Sequence, residues 1–287
     1  MTAVFRREFK SYFINMIGYI FLGALFLSCG ILTTAECLIS ASAMFENVLG
    51  FESILLVLFI PILTMRSMSD DRRARTDQLL YSMPLNMTSI VLGKYFAMTA
   101  VFGIGCLGIA VIPLLLSSFG TVSFGTVYAT LLGFFLLGCA LIAICMFLSS
   151  LTESQVIAAV LGIGISAALY AMSLIVAIIP TDAMVSFIAF LVVAALLALI
   201  VYLLSKSPLL ALGTAALGVI PTCVFYIIDA EKFEGLFPKV VDYLAIFDRF
   251  YNFVYGVFDL TAVVYFLSAV VFFVFLSVQS FDHRRWA

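Results

Sequence analysis

The chain has 287 residues, 65% of them hydrophobic and 10% charged, against roughly half and a quarter in an ordinary soluble domain. That balance excludes a soluble globular fold, because too little polar surface exists to cover the apolar mass. The net charge of -2 comes from 14 Lys and Arg scattered over short segments, which leaves no basic stripe for nucleic acid.

In chain order, the opening stretch places Phe5, Phe9, Tyr12 and Phe13 at helical spacing opposite Arg6, Arg7 and Lys10. This predicts an amphipathic helix over residues 1–15 lying flat at the cytoplasmic interface, in contact with membrane lipid. A plain positively charged flank with incidental aromatics stays open as the other reading. The apolar run 16–32 follows. It is long for a cleaved signal, and Glu36 before Cys37 fits a lipoprotein cleavage site poorly, so a retained first span is expected.

Further apolar runs lie at 53–65, 95–116, 127–148, 156–179, 185–204, 209–228 and 260–278. A span needs about 20 apolar residues. The fold expected is therefore all-α, a polytopic integral membrane protein with about eight transmembrane helices. The second run is short unless it begins near Val48, which would put Glu52 at its rim, and Pro61 should kink it. Eleven of the 14 basic residues fall in one alternating set of loops and three, Lys232, Lys239 and Arg249, in the other. Both termini are therefore expected in the cytoplasm.

The loop 66–94 is too charged to enter lipid. Asp70 and Asp71 stand at a plausible helix start, Arg72, Arg73 and Arg75 follow, and Pro84 closes the pattern. A two-turn helix parallel to the membrane is expected there, suited to docking on a cytoplasmic partner. On the other side, residues 229–259 mix six acidic residues with Phe233, Leu236, Phe237, Val240, Val241, Leu244, Phe247, Phe250 and Phe253. This spacing predicts one or two amphipathic helices resting on the outer interface or on the spans, with a connecting loop as the alternative.

Chemistry is sparse. Five of the six cysteines fall inside apolar runs and none forms a Cys-x-x-Cys pair, so neither a disulfide framework nor a metal site is expected. Glu36, Glu46, Glu52 and Asp182 all read as lying at or beyond the outer span ends, which counts against coupling to protons or sodium. The single Gly-Lys pair, Gly93-Lys94, is followed by Tyr95, so the chain encodes no phosphate-binding loop. The sole histidine, His283, is in the tail, and no catalytic residues are expected. Gly162, Gly164, Ser166 and Ala168 offer close helix approach, which ordinary packing within the chain explains better than a dedicated dimer face.

Four stretches in order carry a resemblance across the whole chain. They are Phe5-Arg6-Arg7-Glu8-Phe9-Lys10-Ser11-Tyr12-Phe13 with Ile17-Gly18-Tyr19; Ile60-Pro61-Ile62-Leu63-Thr64-Met65-Arg66; Asp70-Asp71-Arg72-Arg73-Ala74-Arg75-Thr76-Asp77-Gln78-Leu79-Leu80-Tyr81-Ser82-Met83-Pro84-Leu85; and Gln279-Ser280-Phe281-Asp282-His283-Arg284-Arg285-Trp286. Together they resemble the type 2 ABC exporter permeases, in particular the gliding-motility and copper-maturation group. The family pattern has two Glu where Asp70 and Asp71 stand, often Gly at Arg75, and Glu-Leu-Leu where Gln78-Leu79-Leu80 stand. Its core has six spans, so two here are extra.

The resemblance implies a single permease domain over 1–287 in a bacterial cytoplasmic membrane. Residues Asp70, Asp71, Arg72, Arg73, Arg75, Thr76, Asp77, Gln78, Leu79 and Leu80 would form a coupling helix that seats in an ATPase subunit. It implies two ATP-binding-cassette ATPase subunits carrying ATP and Mg, a second permease chain, identical or related, and no cofactor on this chain. The apolar spans suit a lipid, peptide or drug-like substrate. Two other readings stay open: an ATP-independent channel or facilitator, and a scaffold holding an extracytoplasmic auxiliary protein through 229–259.

Overall fold

The computed structural model describes residues 1–40, 44–73, 87–118, 120–178, 182–205 and 234–285, with isolated positions between 213 and 222. Among these, every regular element is helical. In chain order they are α1 (Thr2–Ile14), α2 (Ile17–Thr33) with a π-helical extension (Thr34–Ile39), α3 (Phe45–Arg73), α4 (Met87–Ile109), α5 (Ile112–Leu116), α6 (Phe124–Leu151), α7 (Gln155–Ile178), α8 (Ala183–Ser205), α9 (Leu236–Leu244), α10 (Ile246–Val254) and α11 (Leu260–Arg285).

Six of these are long and apolar enough to cross a membrane: Ile17–Ile39, Phe45–Asp70, Met87–Leu116, Phe124–Leu151, Gln155–Met172 and Leu260–Asp282. The chain is an all-helical, multi-pass membrane protein. Helices dominate because a lipid-facing backbone must satisfy its N–H and C=O groups within the segment. The expected run 185–204 coincides with α8, and the expected run 209–228 falls largely outside the described residues.

Two compact units are present, one of Met1–Tyr170 with Ile246–Ala287 and the other of Ala171–Ala245. In the first, α6 is the most buried of the six spans and forms the hub, with α3, α4, α10 and α11 packed around it. Lipid is as apolar as a leucine, so close fit and polar contacts, more than exclusion of water, hold such helices together. Phe102 of α4 is packed by Phe21, Phe134 and Phe135 at centroid distances of 6.4, 5.7 and 6.0 Å. Polar ties cross the bundle as well: Tyr95 donates to the Cys139 carbonyl at 3.3 Å and Ser149 to the Met65 carbonyl at 3.2 Å. In the second unit, α9 packs on α8, with Phe237 meeting Phe190 edge-on at 5.2 Å.

The small residues of α7 divide by face. Gly162 and Ser166 point inward with Ala158, at a spacing of four, while Gly164 and Ala168 are exposed. A Cβ on Gly162 would come 2.9 Å from Pro61 Cβ, whereas nothing lies within 4 Å of one on Gly164. Gly162→Val is expected to destabilise the bundle by about 1–3 kcal/mol through overpacking, and Gly164→Val to leave it unchanged. Thermal unfolding in detergent reads both, and equal effects would refute the assignment of faces.

The acidic and aromatic segment 229–259 contains two short helices, α9 and α10. On α10, Phe247, Phe250 and Phe253 are buried at spacings of three against α6 and α3, and the Thr130 hydroxyl donates to the Phe253 carbonyl at 2.8 Å. The next helix starts at a side-chain cap. The Thr261 amide and hydroxyl donate to Asp259 at 2.8 and 2.6 Å, and these bonds hold its carboxyl below the usual range.

Three expectations change. The second span begins at Phe45 rather than Ser53, because Phe45, Val48 and Leu49 are fully buried core residues. Glu52 therefore lies inside the helix instead of at its rim. The same helix continues through Pro61 to Arg73, so Asp70 and Asp71 sit in its last turns rather than at the start of a new one. Finally, α4 starts at Met87, which moves Lys94 out of the loop and into a buried helical turn.

Candidate coupling junction

At the end of the bundle marked by Arg66, four helices converge: α1, the last turns of α3, the first turns of α4 and the start of α7. The helix α1 uses two faces. Val4, Glu8 and Tyr12, spaced by four, turn toward α4 and α3, and Val4 and Tyr12 are buried. Phe5, Phe9 and Phe13 form a ladder along the flank, with centroids 5.8 and 5.1 Å apart, and Phe13 meets Tyr19 of α2 edge-on. Arg6, Arg7 and Lys10 are exposed. The helix expected over 1–15 is thus present, with Tyr12 among its inward residues.

Between α1 and α2 stand only Asn15 and Met16. Met16 adopts φ 59°, a left-handed conformation that side-chain-bearing residues rarely take. This fixes a sharp corner between a helix that docks on the bundle and one that spans.

Gly93 lets α1 approach closely: a Cβ there would lie 3.0 Å from Val4 Cγ1 and 3.3 Å from the Phe5 nitrogen. The neighbouring Lys94 has a side chain 3% exposed. Its ammonium donates to the Ser67 carbonyl on α3 and stands 3.6 Å from Glu8 on α1. Glu8 also pairs with Arg7 at 2.7 Å. One buried cation therefore ties three helices together. A lysine can do this because its ammonium carries three donors on a stem long enough to cross between helices.

Tyr12 adds a second tie, donating to the Leu63 carbonyl of α3 at 3.4 Å. Burial, reinforced by the nearby Glu8 charge, pushes its phenol above the usual range, so it remains a neutral donor. The third tie is at Asp70, which accepts a hydrogen bond from Gln155 at the start of α7. Around these groups lies a polar cavity of about 350 Å³, lined by Arg7, Glu8, Tyr12, Arg66, Asp70 and Lys94.

Of the expected coupling residues, Asp70, Asp71, Arg72 and Arg73 close α3, while Arg75, Thr76, Asp77, Gln78, Leu79 and Leu80 lie outside the described residues. Sequence reasoning missed Glu8, Ser67, Lys94 and Gln155. The readable signal was the Val4-Glu8-Tyr12 spacing, which places a carboxylate on the buried face and asks for a cation opposite it.

A separate apolar groove of about 1020 Å³ opens along α4 and α6, walled by Phe5, Phe96, Tyr128 and Phe135 over a floor at Gly103.

With this geometry in view, comparison with protein families gives a match to the ABC-2 family transporter proteins over residues 9–207. The matched stretch holds α3, α4 and the segment between them. The chain belongs to the ABC-2 family. As an ABC-2 permease it is the non-catalytic, multi-pass membrane component of an ABC transporter and works with ATPase subunits. No curated protein and no solved structure gives a match. The junction of this permease lies at the last turns of α3. The helix leading into the segment 70–84 is bonded there to α1, α4 and α7 at once.

Proposed function

We propose that this permease is the membrane half of an exporter that moves a hydrophobic or amphipathic substrate, a lipid, peptide or drug-like molecule, using ATP hydrolysed elsewhere. The observation that carries the reading is the direct continuation of α3 through Asp70 to Arg73, the start of the segment 70–80, beside the Glu8–Lys94–Ser67 tie. A push on that segment travels along a single helix of about 44 Å, at 1.5 Å per residue.

In this reading two permease chains, identical or related, stand in a bacterial cytoplasmic membrane with all termini inside. Two ATPase subunits beneath them carry ATP and Mg. The chain forms one permease domain over 1–287, its six-span core extended by two further spans. The segment 70–80 seats in the ATPase, α1 lies along the interface as a lever, and 229–259 covers the outer side. Closure of the ATPases shifts α3, and α1, bonded to the same place, tilts with it. A transition of this kind requires contacts that differ between two states. The apolar groove beside α4 and α6 supports the substrate class.

Purification of the tagged chain from its native host in mild detergent tests this. A stoichiometric ATP-hydrolysing subunit should accompany it. Replacing Asp71 and Arg72 by alanine should leave insertion intact and cut substrate-stimulated ATPase activity about tenfold, the loss expected when a coupling of roughly 1–2 kcal/mol disappears. A chain that purifies alone and moves solute in liposomes would replace this reading with that of an ATP-independent facilitator.

A further inference from the structure

Measured along α3 from Arg66, Glu52 lies about 21 Å into the helix and Glu46 about 30 Å. The hydrocarbon layer is itself about 30 Å thick, so with its edge set at Arg66, Glu52 falls within it, roughly 9 Å inside the level of Glu46. Its side chain is fully buried. Ionisable groups at such depth are rare and are found where they have a task.

The hydrogen bonds around Glu52 state its form. Ser28 Oγ on α2 stands 2.6 Å from Glu52 Oε1 and 3.1 Å from the Leu25 carbonyl oxygen. A serine hydroxyl has one proton and can make a full, well-directed bond to only one of them. The second carboxyl oxygen, Oε2, has no hydrogen-bond partner among the described residues. As a carboxylate, Glu52 would be a full buried charge with at most one hydrogen bond. As a carboxylic acid, it donates from Oε1 to Ser28 Oγ, Ser28 donates to the Leu25 carbonyl, and both short contacts are accounted for by properly directed bonds. The oxygen left over is then a neutral carbonyl rather than part of an anion, a far smaller desolvation cost.

Among the described residues, the surrounding elements do not supply a countercharge. From α2 the titratable neighbour is the Cys29 thiol. The π-helical extension brings Glu36 and Cys37, and the Cys37 thiol interacts with Glu36 and with Glu46. At the start of α6, Ser123, the residue before it, and Thr126 donate to Glu46. The buried cation of α4, Lys94, is held at Ser67. On α10, Tyr251 faces Gly50 and Ser53, and Arg249 lies over the Tyr265 ring at 4.4 Å. From α7, Tyr170 reaches Tyr251.

We propose that Glu52 is a proton-binding site within the membrane, protonated while α2 and α3 are packed and releasing that proton to water when the two helices part. On release the O–H bond of Oε1 breaks, the electron pair stays on the carboxylate, and a water molecule takes the proton. Parting of α2 from α3 is thereby linked to pH: rising pH favours the parted arrangement, because only that arrangement hydrates the anion.

Infrared difference spectroscopy of the purified chain in lipid at about pH 7 tests the first half. Exposed carboxyls are ionised there, so wild type minus Glu52→Gln should contain a protonated carboxyl C=O band. Absence of that band overturns the proposal. Ser28→Ala, which keeps Glu52, should shift the band by removing its acceptor; a spectrum unchanged from wild type also overturns it. The second half is read at Cys29, which is fully buried on the same helix pair, in a chain whose other cysteines are replaced. Its alkylation by a small maleimide, as the ratio of the Glu52 chain to the Glu52→Gln chain, should climb by up to about tenfold per pH unit once opening releases one proton. The ratio cancels the thiol's own pH dependence, and a flat ratio overturns the link. Both readouts use the permease alone and stand whatever its ATPase partner proves to be.

Discussion

Lys94→Met should detach α1 from the bundle without preventing insertion. The substitution keeps the length and apolar stem of the side chain but removes the ammonium that donates to the Ser67 carbonyl and faces Glu8. Glu8 has a side chain only 16% exposed and would be left with Arg7, which is itself more than half exposed and solvated. Breaking one side of a buried pair costs roughly 3–5 kcal/mol; the partial exposure of Glu8 puts the expected loss near the lower figure, about 3 kcal/mol. Thermal unfolding and proteolysis of the first 15 residues measure it. Removing Glu8 as well should cost little more, because the uncompensated charge goes with it. Glu8→Gln combined with Lys94→Met is therefore expected to be much less damaging than the sum of the two. Strict additivity would show that the 3.6 Å contact carries no energy. In the exporter reading, the same variant hydrolyses ATP but moves substrate poorly.

Much of this junction was legible before the structure, in pieces. The aromatic and basic periodicity of residues 5–13 gave α1 and its exposed Arg6, Arg7 and Lys10. Six of the hydropathy runs coincide with span-capable helices, their ends displaced by up to about two turns, while the run 209–228 falls largely outside the described residues. What misled was the treatment of charge as a boundary. A hydropathy window drops at Glu52 and at Lys94, so the second span was started after the one and the third after the other. Both residues lie inside helices because each finds a specific partner there, Ser28 for Glu52 and Glu8 with the Ser67 carbonyl for Lys94. Partners of that kind are 24, 27 and 86 positions away in the chain, and no local pattern encodes them. The helix start expected at Asp70 failed for a related reason. An aspartate pair favours a helix N-terminus, but the preceding turns from Arg66 to Ser69 were already helical and packed, so propagation cost less than a new nucleus.

Gly138→Ala is expected to be the most damaging single methyl in the bundle, and Gly108→Ala, which looks almost as bad by distance, is expected to be tolerated. A Cβ on Gly138 would fall 2.1 Å from Phe102 Cε1, and one on Gly108 would fall 2.4 Å from Phe26 Cζ. The difference lies in what each ring can do. Phe26 is 40% exposed and can swing into lipid. Phe102 is fully buried, parallel to Phe135 within 5° and hemmed by Phe21 and Phe134, so α4 and α6 must separate instead. Overpacking of this kind costs about 1–3 kcal/mol, and here the upper end applies, since contact between membrane helices depends on close fit. Phe102→Ala alone should cost about 3–5 kcal/mol by opening a cavity. Placed together, the new methyl fills part of the space the ring vacates, so the pair should be more stable than the sum of the single losses predicts. If Gly138→Ala and Gly108→Ala unfold at the same temperature in detergent, the Phe102 cluster is not rigid and α6 is not the fixed hub around which the other helices pack.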